Sequence, residues 1–353
     1  MTTQLKVYDE SAVKALCSTR ANEKKAWQAM SLLDTHVDVQ QALVDAAEFG
    51  MRYVLLGICE DIGPKANLGN SGASEAWPAF LSKFLNQPHN QFIATQKVLL
   101  LGEVHVDDLM AQSNLLNNKN PEQLQQLRLL CQQLDERVES VLNLIFKAGL
   151  EPIVIGGGHN NCLGIIRALS GSQHTPVNAI NFDPHADFRE CEGRHSGNGF
   201  RYAYNEKLLN NYHVIGLHEQ KNNQAIIDAM TQANFTFDSY QSLKVKRDIT
   251  LTQSIDKAIN GFDSLPLGIE VDLDSITFMP VSAYTCCGFS VSDTEHFIYK
   301  AASNRNAKYL HLCEASPSQH PNGPEIGATH VGQVISALVN SYLLAKESEC
   351  SFK

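Results

Sequence analysis

The chain has 353 residues, 43% of them hydrophobic and 19% charged, and carries a net charge of −10. That is enough apolar material for one large α/β domain or two modest ones, with an ample core. The acidic balance and the absence of any Lys/Arg-rich run argue against nucleic acid and anionic membrane surfaces as partners, and leave a small molecule.

The opening Met-Thr-Thr-Gln-Leu-Lys lacks an apolar signal core, and no apolar stretch approaches the roughly 20 residues that span a bilayer, so a cytoplasmic location is expected. Nine cysteines are scattered without a Cys-x-x-Cys pair, and an odd number does not suit a closed disulfide framework. Reduced, mostly buried thiols are the expectation.

A polar-apolar pattern from about residue 37 to Phe49, with Gly50 to cap it, predicts a helix, and residues 52 to 57 then read as a strand. Residues 59 to 73 are rich in Gly, Pro, Asn and Asp, and are expected to form a long loop too polar for the core. Residues 97 to 102 form the next predicted strand. Asn120-Pro121 opens the clearest helix: Leu124, Leu127, Leu134, Val138, Val141, Leu142 and Ile145 recur at helical spacing, with Pro121 at the first position and Gly149 at the C-terminus.

Predicted strands follow at 152 to 155, 177 to 182, 212 to 216, 267 to 271 and 309 to 312, and an apolar helix closes the pattern around 331 to 345. Strands alternating with helices imply a three-layer αβα arrangement around a mainly parallel sheet. No linker, composition break or repeat divides the chain, so residues 1–353 are taken as one domain with a peripheral extension over about 1–36. Residues 219 to 262 are polar and weakly periodic, and are the least readable stretch.

Three segments follow predicted strands directly: Gly156-Gly157-Gly158-His159, Asp183-Pro184-His185-Ala186-Asp187 and Asp272-Leu273-Asp274. Residues two apart on an extended backbone point the same way, so each Asp-x-His-x-Asp or Asp-x-Asp set can converge. Strand ends on one side of a parallel sheet share a crevice. Singly, each segment is more often a structural loop feature; together they give four carboxylates (Asp183, Asp187, Asp272, Asp274) and two imidazoles (His159, His185). Such a cluster is too anionic to stay buried without cations, and two divalent metals would neutralise it. Carboxylate oxygens mixed with imidazole and no thiolate suit manganese, with zinc, iron, cobalt and nickel left open.

These motifs resemble the ureohydrolase family, which includes arginase, agmatinase and formimidoylglutamase, over residues 54 to 345. Glu270 stands where the family usually has Ser. The resemblance implies an arginase-like fold and two Mn2+ per chain. One ion would be held by His159, Asp183, Asp187 and Asp274, the other by His185, Asp183, Asp272 and Asp274. Paired cations share a water and lower its pKa toward neutrality, for attack on a guanidinium or formimidoyl carbon.

The resemblance also implies that Glu314 pairs with the cationic nitrogen of the substrate. His195 is the expected proton donor, so that His195, Glu314 and Asp187 form the catalytic set. Asn198 and the arginines Arg189, Arg194 and Arg201 are the expected substrate-binding residues, since guanidinium groups grip carboxylates bidentately. Arginases place a shuttle His just after Ser-Gly-Asn, where this chain has Gly199-Phe200. Segments 60 to 64 and 279 to 283 look more like formimidoylglutamases, which implies N-formimidoyl-L-glutamate as substrate, with Cys286-Cys287 at the rim of the pocket. The alternatives are urea release from another guanidino compound and a non-catalytic metal-binding regulator. A single-metal zinc amidohydrolase is the least favoured reading. A homo-oligomer is compatible with the family.

Overall fold

The computed structural model describes residues 4–348. Ten strands form one sheet: β1 Leu5–Val7, β2 Ser31–Leu32, β3 Tyr53–Gly57, β4 Val98–Val104, β5 Glu151–Ile155, β6 Val177–Phe182, β7 Leu209–Leu217, β8 Thr236–Ser239, β9 Leu267–Asp272 and β10 Ala307–Cys313. Their order is β1-β4-β3-β5-β10-β9-β6-β7-β8, with β2 also paired to β4. Among the described residues only β1 runs antiparallel to its neighbour. The strands read as unbroken apolar runs because both sheet faces are covered.

One face carries the helices Ala76–Phe84, Leu251–Gly261, Val291–Ala302 and Pro324–Ser348, packed through Trp77, Phe80, Phe297 and Tyr342. The other carries Val39–Glu48, Pro121–Lys147 and Cys162–Gln173, through Leu43, Leu134, Val138 and Ile166. The long helix starts as its sequence implies: the Asn120 side chain accepts from the N–H groups of Glu122 and Gln123, and Pro121 fills the first turn. Among the described residues no helix is long and apolar enough to cross a membrane.

Three segments differ from expectation. Residues 59 to 73 are not a solvent-facing loop: Ile62–Ala66 is helical, and Glu60 and Asp61 are buried. Glu60 is accommodated because its oxygens accept from the N–H groups of Ile62, Gly63 and Gly158 and from the Asn161 amide. Residues 219 to 262 hold β8, a helix at Gln224–Gln232 capped by Asn223, a π-helical turn at Gln241–Lys246 and the helix Leu251–Gly261 with a Thr250/Gln253 capping box. Before residue 36, β1 and β2 are both hydrogen-bonded to β4.

Candidate metal centre

In the sheet order, β5, β10, β9 and β6 are successive neighbours, all parallel. Their carboxyl ends therefore lie side by side, and the turns that leave them meet in one place. The glycine turn after β5 delivers His159. Gly157 has φ +70, and a Cβ there would fall 2.6 Å from Glu60 Oε1, so glycine is what the turn requires.

Two sets of ligand atoms converge. His159, Asp183, Asp187 and Asp272 form one group, and Asp183, His185 and Asp274 the other, with the atoms of each group within 4.8 Å of one another. His159 Nδ1 is 2.9 Å from Asp187, 3.2 Å from Asp183 and 3.6 Å from Asp272. His185 Nδ1 is 3.1 Å from Asp274 and 3.6 Å from Asp183. Asp183 belongs to both groups. The grouping of side chains differs from the expected division in one respect: Asp272, at the strand end, lies with the His159 group, and Asp274 with the His185 group.

The donor set fits a pair of divalent cations. Nδ1 of His159, the ring nitrogen that faces the cluster, and one oxygen of Asp274 are buried without a hydrogen-bond partner. Burial, followed by the charge of Asp183, raises Asp187 above the usual carboxylate range, and burial with Asp274 and Asp183 raises Asp272 well above it. Carboxylates that resist ionisation beside one another become stable anions once cations lie between them. Hard oxygens with two imidazoles suit manganese and equally admit zinc, iron, cobalt or nickel.

Behind His159 stands Glu270, fully buried. Its oxygens are 2.6 Å from the Tyr309 hydroxyl, which donates, and 2.6 Å from His311 Nδ1. Burial alone would raise this carboxyl, but the rings of His311 and His159 hold it down to about 2. The His-to-carboxylate contact was not readable beforehand, since His311 and Tyr309 look like ordinary residues of an apolar strand.

Glu314 follows β10, and its Oε1 accepts the His159 N–H at 2.9 Å. Burial pushes its carboxyl up to about 8. Glu314 and Asp187 both adopt the left-handed backbone region, with φ +66 and +45. That conformation costs a side-chain-bearing residue roughly 1–2 kcal/mol, a strain typical of functional turns.

A cavity of about 330 Å³ opens onto this cluster, lined by His185, Asp187, Asp272, Asp274 and Glu314 together with Arg189, Lys221, Asn222, Asn67 and Ser282. Four of the residues expected to act on or bind the substrate, His195, Arg194, Asn198 and Arg201, are not part of its lining. His195 is fully buried, and its Nδ1 accepts from the Gly197 N–H at 3.1 Å. Burial and three nearby arginines push that imidazole down to about 3, which favours a neutral ring.

Arg194 is buried in a bidentate pair with Asp135, at 2.7 and 3.1 Å, and has no fork left for a substrate. Asn198 is spent inside the same loop, donating to the carbonyls of Glu190 and Gly193 and accepting from Arg194. Arg201 lies over the Phe188 ring, 4.8 Å from its centre, on an adjoining cleft that shares Arg189 and Ile226 with the cavity. Arg189 does line the cavity. Phe200 packs its ring edge-on against His159 at 5.2 Å, so no proton carrier occupies that position. Cys286 and Cys287 are exposed and outside the lining. The sequence reading missed Lys221 and Asn222, which sit in the stretch with the weakest pattern.

The arginase family model matches residues 52–339. A formimidoylglutamase of Streptococcus pyogenes serotype M12 (strain MGAS2096) is 26% identical over 295 residues, covering 80% of this chain and 83% of that protein. One from serotype M3 (strain ATCC BAA-595 / MGAS315) is 27% identical over the same span. Among solved structures, formimidoylglutamase from Bacillus subtilis superposes with a TM-score of 0.72 at 15% identity, covering 94% of each chain. Trypanosoma cruzi formiminoglutamase with Mn2+2 gives 0.69 at 18% identity, covering 91% of this chain and 99% of that one. At these identities the structural likeness speaks for the fold.

Proposed function

The chain belongs to the arginase family and is a hydrolase acting on C–N bonds, and from that membership we propose that it is a binuclear manganese enzyme that hydrolyses N-formimidoyl-L-glutamate to L-glutamate and formamide. One observation carries this reading. The cavity that opens onto the two ligand groups has Arg189 and Lys221 as its basic lining, and its carboxylates are the three lining ligands and Glu314. Such a lining favours a substrate with a cationic amidine at one end and carboxylates at the other. It disfavours a diamine-like substrate such as agmatine, whose far end is cationic.

His159, Asp183, Asp187 and Asp272 would hold one ion, and Asp183, His185 and Asp274 the other. When bound, the ions supply Lewis-acid charge that makes water nucleophilic near neutral pH. Glu314 pairs with the amidinium N–H groups and fixes the reacting carbon over the ligand cluster. One of its oxygens is occupied by the His159 N–H. The other takes the proton released as water attacks and passes it to the departing amine nitrogen. With His195 buried outside the cavity and Phe200 at the shuttle position, Glu314 is the lining group suited to that transfer.

The test is hydrolysis by manganese-loaded protein of N-formimidoyl-L-glutamate beside arginine, agmatine and guanidinobutyrate, with formamide and urea assayed separately. Formamide from the first substrate alone supports the assignment. Urea from a guanidino compound overturns the substrate and leaves the C–N hydrolase in place.

A further inference from the structure

Lys221 Nζ is buried and has neither a hydrogen-bond nor an ion-pair partner among the described residues, yet the residue lines the cavity over the ligand cluster. An ammonium group removed from water without an acceptor is costly, so the position is unfinished until an anion arrives. The other basic lining residue, Arg189, is half exposed and already within 3.9 Å of Glu192.

The turn that carries Lys221 is fastened to the ligand segment. The His218 N–H donates to the Pro184 carbonyl at 2.8 Å, and the Asn222 amide donates to the same carbonyl at 2.9 Å. Asn222 Oδ1 accepts the Ala186 N–H at 3.0 Å, and the Lys221 N–H donates to the His218 carbonyl at 2.9 Å. These bonds span the residues between Asp183 and Asp187. The lysine backbone is thus set at a fixed distance from the groups that would hold the metals, as a selective anchor requires.

We infer that Lys221 is the specificity-determining anchor for a substrate carboxylate, so that the cavity measures the separation between an amidine and an anion. The inference rests on the proposed formimidoylglutamate reading for its substrate and deepens it. Neither an agmatine-like cation nor an uncharged amidine would complete the lysine.

Calorimetry on manganese-loaded wild type, Lys221→Met and Lys221→Arg, with glutarate as the anionic probe and pentane-1,5-diamine as its cationic counterpart, tests the anchor without turnover. Glutarate should bind wild type and lose about 10- to 100-fold in affinity in Lys221→Met, the scale of one charge-assisted hydrogen bond, with partial recovery in Lys221→Arg. The diamine should gain nothing from the lysine. With N-formimidoyl-L-glutamate, KM should rise by a similar factor while kcat changes far less. Equal glutarate affinity in wild type and Lys221→Met, or none in either, overturns the anchor even if formamide is produced. Lysine-dependent glutarate binding without formamide production leaves the anchor standing and removes the substrate assignment.

Discussion

Glu270 sets a carboxylate oxygen 3.4 Å from Nε2 of His159, the ring nitrogen that faces away from Asp183 and Asp187. A carboxylate on the second nitrogen fixes the tautomer and orientation of a ligating imidazole and makes the first nitrogen a better donor. Glu270→Gln keeps the shape and removes the charge. Manganese affinity, followed by titration of the metal-free protein, should fall about 10- to 100-fold. Unchanged affinity would reduce Glu270 to a buried partner of His311 and Tyr309.

The two ligand groups share Asp183 alone. Asp183→Asn should therefore deplete both ions, whereas Asp274→Asn should leave the His159 group with its own. Metal content per chain by atomic absorption separates the cases: near zero for the first, about one for the second on the two-ion stoichiometry. Loss of both ions from Asp274→Asn would reinstate it as a ligand common to both groups.

Glu314 lines the cavity outside both groups of ligand atoms. Glu314→Gln should retain metal and still accept the His159 N–H, but lose the proton acceptor. Turnover should drop at least ~100-fold, the lower range for general acid–base groups. Full metal loss would place Glu314 among the ligands.

His195 gives a dependence on pH whose sign can be worked out. Its folded pKa, about 3, lies below the ordinary 6.5. As pH falls the unfolded chain takes the proton first, so the stability from neutral His195 is present above about 6.5 and is lost on the way down toward about 3. The loss approaches roughly 1.4 kcal/mol per pH unit in that window. His195→Asn keeps an acceptor for the Gly197 N–H without a titrating ring, so its stability deficit by urea unfolding should shrink between pH 7.5 and 5.5. A constant deficit would mean that the imidazole can be protonated in place.

Arg194 and Asp135 are both buried. Arg194→Ala should cost about 3–5 kcal/mol by leaving the carboxylate unpaired, while KM of the folded fraction stays near wild type. A large rise in KM without a loss of stability would return Arg194 to the substrate.

The convergence of the Asp and His side chains was legible because extended alternation and strand-end position are local properties: Asp183, His185 and Asp187 meet for the same reason they stand two apart. The arginines were not, because a guanidinium looks the same in sequence whether it lines the cavity, as at Arg189, or pairs with Asp135, as at Arg194. Asp135 lies on the helix Pro121–Lys147, far away in the chain. The apolar central strands were visible, whereas β8, reading Thr-Phe-Asp-Ser, has too little apolar alternation to stand out. Residues 59 to 73 misled through composition: Glu60 is charged and buried because backbone N–H groups from two turns solvate it. Polarity alone does not report such partners.

Tyr309 reaches Glu270 across Gly268, and a Cβ on that glycine would clash with the phenol, 2.2 Å from its hydroxyl oxygen. An alanine at 268, to all appearances a harmless change in a buried strand, would displace the phenol, then the carboxylate, then the imidazole that the carboxylate steadies. Variation in this lineage should thus be constrained at a position with no functional group at all, and a screen for impaired metal loading should recover Gly268 alongside the ligands themselves.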